Sequence, residues 1–140
     1  MLYTASIANL DLFKIKDDTT DKIFIGCNQE WFSDERQRLS GCGPTTAAML
    51  VHYYLYVKNK PNKVPCIKSS MLSLMEELWK YVTPGNRGIP TTEIFCEKFK
   101  TYLNFKNIKG ELHILDVPEP NENKPSFETL LAFLLEALSK

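Results

Sequence analysis

The stretch Ser40-Gly41-Cys42-Gly43-Pro44-Thr45-Thr46-Ala47-Ala48-Met49-Leu50-Val51-His52-Tyr53-Tyr54-Leu55 decides the reading of this chain. Pro44 suits a first helical position, where φ is already set and the first-turn N–H groups have no partner inside the helix. Ala47, Leu50, Val51, Tyr54 and Leu55 then fall at i, i+3, i+4 spacing, which predicts a helix from Pro44 to about Lys58. The opposite face, Thr45, Met49, His52 and Tyr56, is only mildly polar, so this helix is expected to be a largely buried central one. Cys42 stands immediately before it, between two glycines.

Working outward toward the N-terminus, residues 28–41 read as a polar loop pinned by Trp31 and Phe32. Before it, Leu10, Leu12 and Phe13, and then Ile23, Phe24 and Ile25, give two short apolar stretches within residues 3–15 and 22–27. The polar run Lys16-Asp17-Asp18-Thr19-Thr20-Asp21 separates them, which predicts two strands joined by a turn. Toward the C-terminus, a loop from Asn59 to Pro65 precedes a helix capped by Ser69 or Ser70 and running to about Val82. The turn-rich segment Thr83–Pro90 ends it. A helix from Thr91 or Thr92 to Leu103, a strand over Glu111–Val117 and a final helix capped by Ser126 complete the order. The fold class expected is α+β, rich in helix with few short strands, in a single domain spanning 1–140.

Composition bounds the function. The chain has 140 residues, 17 basic and 17 acidic, with 8 Phe, 6 Tyr and 2 Trp. A domain of this size buries roughly two-thirds of its unfolded surface, and the aromatic content excludes a solvated coil. A net charge of zero without a basic run argues against a nucleic-acid partner. No apolar stretch approaches the ~20 residues that span a bilayer, and the N-terminal residues lack the basic and apolar regions of a secretory signal, so no membrane role and a cytoplasmic location are expected. Cys27, Cys42, Cys66 and Cys96 lie 15, 24 and 30 residues apart, too widely for paired metal ligands, and no metal or cofactor is expected. Reduced thiols follow from the compartment, three of them as small buried hydrophobes.

Cys42 is in a different setting. Unpaired N–H groups and the positive dipole end at a helix start favour a thiolate, and flanking glycines leave room for a carbonyl to approach the sulfur. These are requirements of an activated nucleophile, although a glycine-rich turn into a helix also serves plain packing around an inert thiol.

The stretch Asn28-Gln29-Glu30-Trp31-Phe32, followed by Cys42-Gly43-Pro44-Thr45-Thr46-Ala47, resembles the start of the bacterial C39-like peptidases, members of the papain-like cysteine protease superfamily. The specific matches cover residues 24–57. The resemblance implies a papain-like fold with Cys42 as nucleophile and a peptide or protein substrate. It also implies a glutamine amide in the oxyanion hole, Gln29 or, as second choice, Gln37. A histidine base with an orienting Asp or Asn is implied as well. His52, ten residues after Cys42 on one helix, lies roughly 15 Å along the axis and is a packed helix residue. His113 has the right chain order for the base. The family's histidine and aspartate strands are otherwise expected beyond residue 140, which would make this the nucleophile-bearing, helix-rich half, inactive alone and prone to homo-oligomerise through exposed apolar surface. The alternative is a non-catalytic C39-like module that binds a peptide, and a third reading is a helix-rich domain without chemistry.

Overall fold

The structure is a computed structural model that describes residues 6–7, 9–59, 66–119 and 123–139. Its described residues form a small α+β protein with five α-helices and one two-stranded antiparallel sheet. The chain divides into two compact units, a larger one over Asp11–Gly110 and a smaller one over Met1–Leu10 with Glu111–Lys140.

In the larger unit, β1 (Lys14–Lys16) pairs with β2 (Ile23–Ile25), with Ile15 opposite Phe24. Alternation sends Lys14 and Lys16 outward and buries Ile15 completely. Leu10–Phe13, expected to be strand, is instead a 3-10 turn. The far edge of β1 is closed by a parallel bridge from Lys16 to Ile67, and the Lys16 N–H donates to the Cys66 carbonyl at 2.9 Å. The expected loop over 28–41 holds two further elements, a 3-10 turn at Gln29–Trp31 and a short helix, α1 (Glu35–Ser40). Their capping is local: the Asn28 side chain accepts from the Glu30 N–H, and that of Asp34 from the Gln37 N–H.

The central helix, α2, runs Cys42–Asn59 and starts two residues before the expected Pro44. Proline lacks only an N–H that the first turn leaves unused, so it fits anywhere in that turn. The Thr45 N–H donates to the Gly41 carbonyl at 3.0 Å, which opens the ladder at Gly41. One face of α2 is buried through Pro44, Ala47, Ala48 and Val51, while Leu50, Leu55 and Val57 stay exposed, so α2 is less enclosed than its apolar sequence suggested.

Helix α2 packs along α3 (Lys68–Trp79), whose Met71, Met75 and Leu78 are buried. Ala47 and Ala48 of α2 are fully buried, and each fully buried Leu or Met contributes about 1.5–3 kcal/mol. The α3 start differs from expectation. Neither Ser69 nor Ser70 caps it: Ile67 is the N-cap residue and makes no side-chain cap bond, and the first turn is served from a distance by Asp18. Helix α4 (Thr92–Phe105) begins as expected, with the Thr91 hydroxyl accepting from the Ile94 N–H. It ends in a left-handed Asn107 (φ 53°), with the Ile108 N–H on the Leu103 carbonyl and the Asn107 N–H on the Asn104 carbonyl. Cys96, Phe99, Tyr102 and Leu103 form its buried face. Glu77 of α3 ties α4 down through Lys106 at 2.6 Å and a long 3.5 Å bond from the Tyr102 hydroxyl. Burial, with this carboxylate adding to it, pushes the Tyr102 phenol up to about 12.

In the smaller unit, α5 (Phe127–Leu138) has the expected Ser126 cap, whose hydroxyl accepts from the Thr129 N–H. The expected strand over Glu111–Val117 is not formed, and these residues have no regular secondary structure. Apolar alternation alone does not make a strand. It needs a neighbouring ladder for its N–H and C=O groups, and Ile114 and Val117 remain exposed. The loop over 60–65 lies outside the described residues. No described helix is long and apolar enough to cross a membrane.

Candidate functional site

Cys42 is the first residue of α2 and the only exposed thiol of the four. Cys96 is buried, and Cys27 and Cys66 are half-buried. Burial pushes all three of these thiols up, Cys27 to about 12 with Cys66 adding to the effect. Three cysteines thus have poor access and little thiolate, while the fourth faces solvent.

The glycines beside Cys42 are dictated by close packing. A Cβ on Gly41 would lie 2.4 Å from the Gln37 carbonyl oxygen and 2.6 Å from the Phe32 ring. One on Gly43 would meet the Ile89 side chain at 2.5 Å. Gly41 has φ −79°, so the demand there is space and not a left-handed backbone. The turn into α2 is therefore pressed against α1 and Phe32 on one side and against Ile89 on the other.

Phe32 is fully buried, meets Trp79 edge-on at 6.0 Å between ring centres, and anchors this turn. Arg38 fastens the loop around it: Nη1 donates to the Phe32 carbonyl at 3.0 Å and the Ser33 carbonyl at 2.6 Å. Gln29 completes the fastening, with Nε2 donating to the Arg38 carbonyl at 2.7 Å. One amide hydrogen of Gln29 is therefore committed to the loop itself. The half-buried Gln37 makes no side-chain hydrogen bond to another described residue. The Thr45 hydroxyl, one turn into α2, is buried without a hydrogen-bond partner among the described residues.

The segment carrying Gln29 is held from beneath by a charged cluster. Asp17 Oδ1 accepts from the Thr19 hydroxyl at 2.7 Å and from the N–H groups of Thr19 (2.9 Å) and Thr20 (3.2 Å). Its Oδ2 takes the Lys68 ammonium at 3.1 Å. The Thr19 bonds foremost, then Lys68, hold this carboxyl well below the usual carboxylate range. The same ammonium lies over the rings of Phe24 (5.6 Å) and Trp31 (5.7 Å), which meet edge-on at 5.1 Å. Sequence reading missed this cluster, although the run Asp17-Asp18-Thr19-Thr20 carried the signal of side chains that bond nearby backbone.

The two histidines occupy different settings. His52 is half-buried on α2 with Nε2 3.1 Å from the Leu12 carbonyl, a packed helix residue. His113 belongs to the smaller unit, in the irregular segment after α4, with Nε2 3.5 Å from a Glu111 carboxylate oxygen. Within the larger unit the structure joins Gln29 to the loop that leads into Cys42. His113 is not part of that unit. Among the described residues no group of His, Cys, Asp and Glu is arranged to hold a metal ion. Compared with protein-family models, characterised proteins and solved structures, the chain gives no match.

Proposed function

We propose that the chain carries the nucleophile-bearing part of a papain-like, C39-like cysteine peptidase or related thiol acyl-transfer hydrolase. Cys42 attacks a peptide or protein carbonyl, and a glutamine amide from the preceding loop stabilises the oxyanion. The observation that supports this reading is the placement of the single exposed thiol on the first turn of α2, between glycines held by close packing. Gln29, the first choice, has one amide hydrogen held by the Arg38 carbonyl, whereas the Gln37 side chain makes no hydrogen bond to another described residue, which favours Gln37 for the amide. Reduced thiols in the cytoplasm suit such chemistry. The histidine base is the open position: His52 is engaged with Leu12, and His113 is the remaining histidine of the chain.

That position favours a second reading, a C39-like module that binds a peptide without cleaving it. The test is incubation of the protein with an unstructured protein such as casein and with a mixed peptide pool, read by mass spectrometry. Cleavage, or covalent capture of a peptide aldehyde at the sulfur, that is abolished in Cys42→Ser supports the hydrolase, and capture needs no histidine base. Peptide binding without either supports the module, and none of these results in a folded sample refutes both.

A further inference from the structure

Gln29 and Arg38 belong to one continuous set of contacts that ends beside Cys42. The Gln29 amide donates to the Arg38 carbonyl at 2.7 Å, and the Arg38 guanidinium donates to the carbonyls of Phe32 and Ser33. The Phe32 ring lies so close to Gly41 that a Cβ there would approach it to 2.6 Å. The Gly41 carbonyl then accepts the Thr45 N–H that opens the α2 ladder. The Gln29 bond ties the 3-10 turn at Gln29–Trp31 to α1, the Arg38 bonds tie α1 to the two residues that follow that turn, and none of these hydrogen bonds includes the sulfur. We propose that Gln29 and Arg38 form a latch that positions the Cys42 turn, with Gln29 a positioning residue acting through Arg38 and not a donor to the oxyanion.

The energetic reason is the shortness of the elements. A three-residue 3-10 turn and a six-residue helix do not hold their shape unaided, since nucleating so few residues costs more than their own hydrogen bonds return. A bond to a backbone carbonyl inside α1 and two from a guanidinium back to the preceding loop fix their mutual orientation. Phe32 is thereby seated against Gly41, and the sulfur one residue on leaves the turn in one direction. A sulfur held outward stays open to any reagent, whereas a turn that frays spends part of its time with the sulfur folded against the protein surface, where access is lower.

This inference rests on Cys42 being the working thiol, but its test does not require cleavage. Iodoacetamide alkylates a thiolate by displacing iodide from a saturated carbon, so no oxyanion develops and an oxyanion donor has nothing to stabilise. The latch therefore predicts that Gln29→Ala slows alkylation of Cys42 at least threefold, well below the melting temperature, while Cys27, Cys66 and Cys96 stay protected. Arg38→Ala has a similar effect, the double variant is less than additive, and Arg38→Lys restores part of the rate by returning a donor to the loop carbonyls. An unchanged Cys42 rate in Gln29→Ala overturns the latch, and if capture of a peptide aldehyde weakens at the same time, Gln29 is the oxyanion donor. Acceleration of all four thiols together also overturns it, because that reports general loosening. Failure of the peptidase reading shows separately, as the absence of both cleavage and peptide-aldehyde capture by the wild type while the Gln29 and Arg38 effects on Cys42 persist.

Discussion

The Asp18 carboxylate caps α3 from the β1–β2 turn: one oxygen accepts the Ser69 N–H and the other the Ser69 hydroxyl, each at 2.7 Å. A negative charge at a helix start satisfies an unpaired donor and complements the dipole. Asp17 beside it holds Lys68, the first residue of the same helix, so the hairpin turn and α3 are joined at two adjacent carboxylates.

These carboxylates make the fold acid-sensitive in a defined window. The bonds to Ser69 hold Asp18, and those to Thr19 and Lys68 hold Asp17, below the ordinary carboxylate value. In the unfolded chain both groups protonate near pH ~3.9. Their contribution is therefore complete above that pH and is lost as pH falls through the lower folded-state values. Asp18→Ala is expected to lower the melting temperature by a few degrees at pH 7, and the gap to wild type should close as the pH is taken toward 2. Thermal melts by circular dichroism across pH 2–7 check this, and a gap that stays constant with pH contradicts it.

The elements legible in the sequence were those with local causes. Ser126 and Thr91 announced their helices because each side chain caps its own turn, and the apolar stripe from Ala47 to Leu55 gave α2. The start of α3 was misread because its cap comes from Asp18, across 51 residues, which no local pattern displays. Glu111–Val117 showed strand-like alternation, but pairing is a property of a neighbour and not of the segment. At the site, Cys42 was visible from its glycines and the helix behind it. The commitment of Gln29 to Arg38 was not, because a glutamine nine residues from a carbonyl carries no periodic signal.

The two glycines beside Cys42 should respond differently to alanine. At Gly41 the new methyl group meets a backbone oxygen at 2.4 Å, and backbone there is fixed by α1. At Gly43 it meets the tip of Ile89, a flexible side chain that can turn aside. Gly41→Ala is expected to cost about 1–3 kcal/mol of stability and Gly43→Ala less, by urea denaturation of each variant. Equal costs would show that the turn into α2 is looser than its packing indicates.

The four thiols should separate cleanly by rate. Cys42 is exposed at the start of α2, whereas Cys96 is buried and burial pushes the Cys27 thiol up to about 12, leaving almost no thiolate near neutrality. Cys66 is half-buried and shifted in the same direction, so it too should lag. With limiting iodoacetamide at pH 7.5, peptide mapping is expected to find Cys42 modified at least about tenfold faster than any other cysteine. In urea above the unfolding midpoint the four rates should converge, because burial and its effect on the thiols disappear together. Exposure alone accounts for this order, so the rate of Cys42 must also be set against free glutathione under the same conditions. A Cys42 no faster than glutathione at the same neutral pH, with a pH–rate profile that rises no earlier than that of glutathione, would describe an accessible but unactivated sulfur and would count against its role as nucleophile.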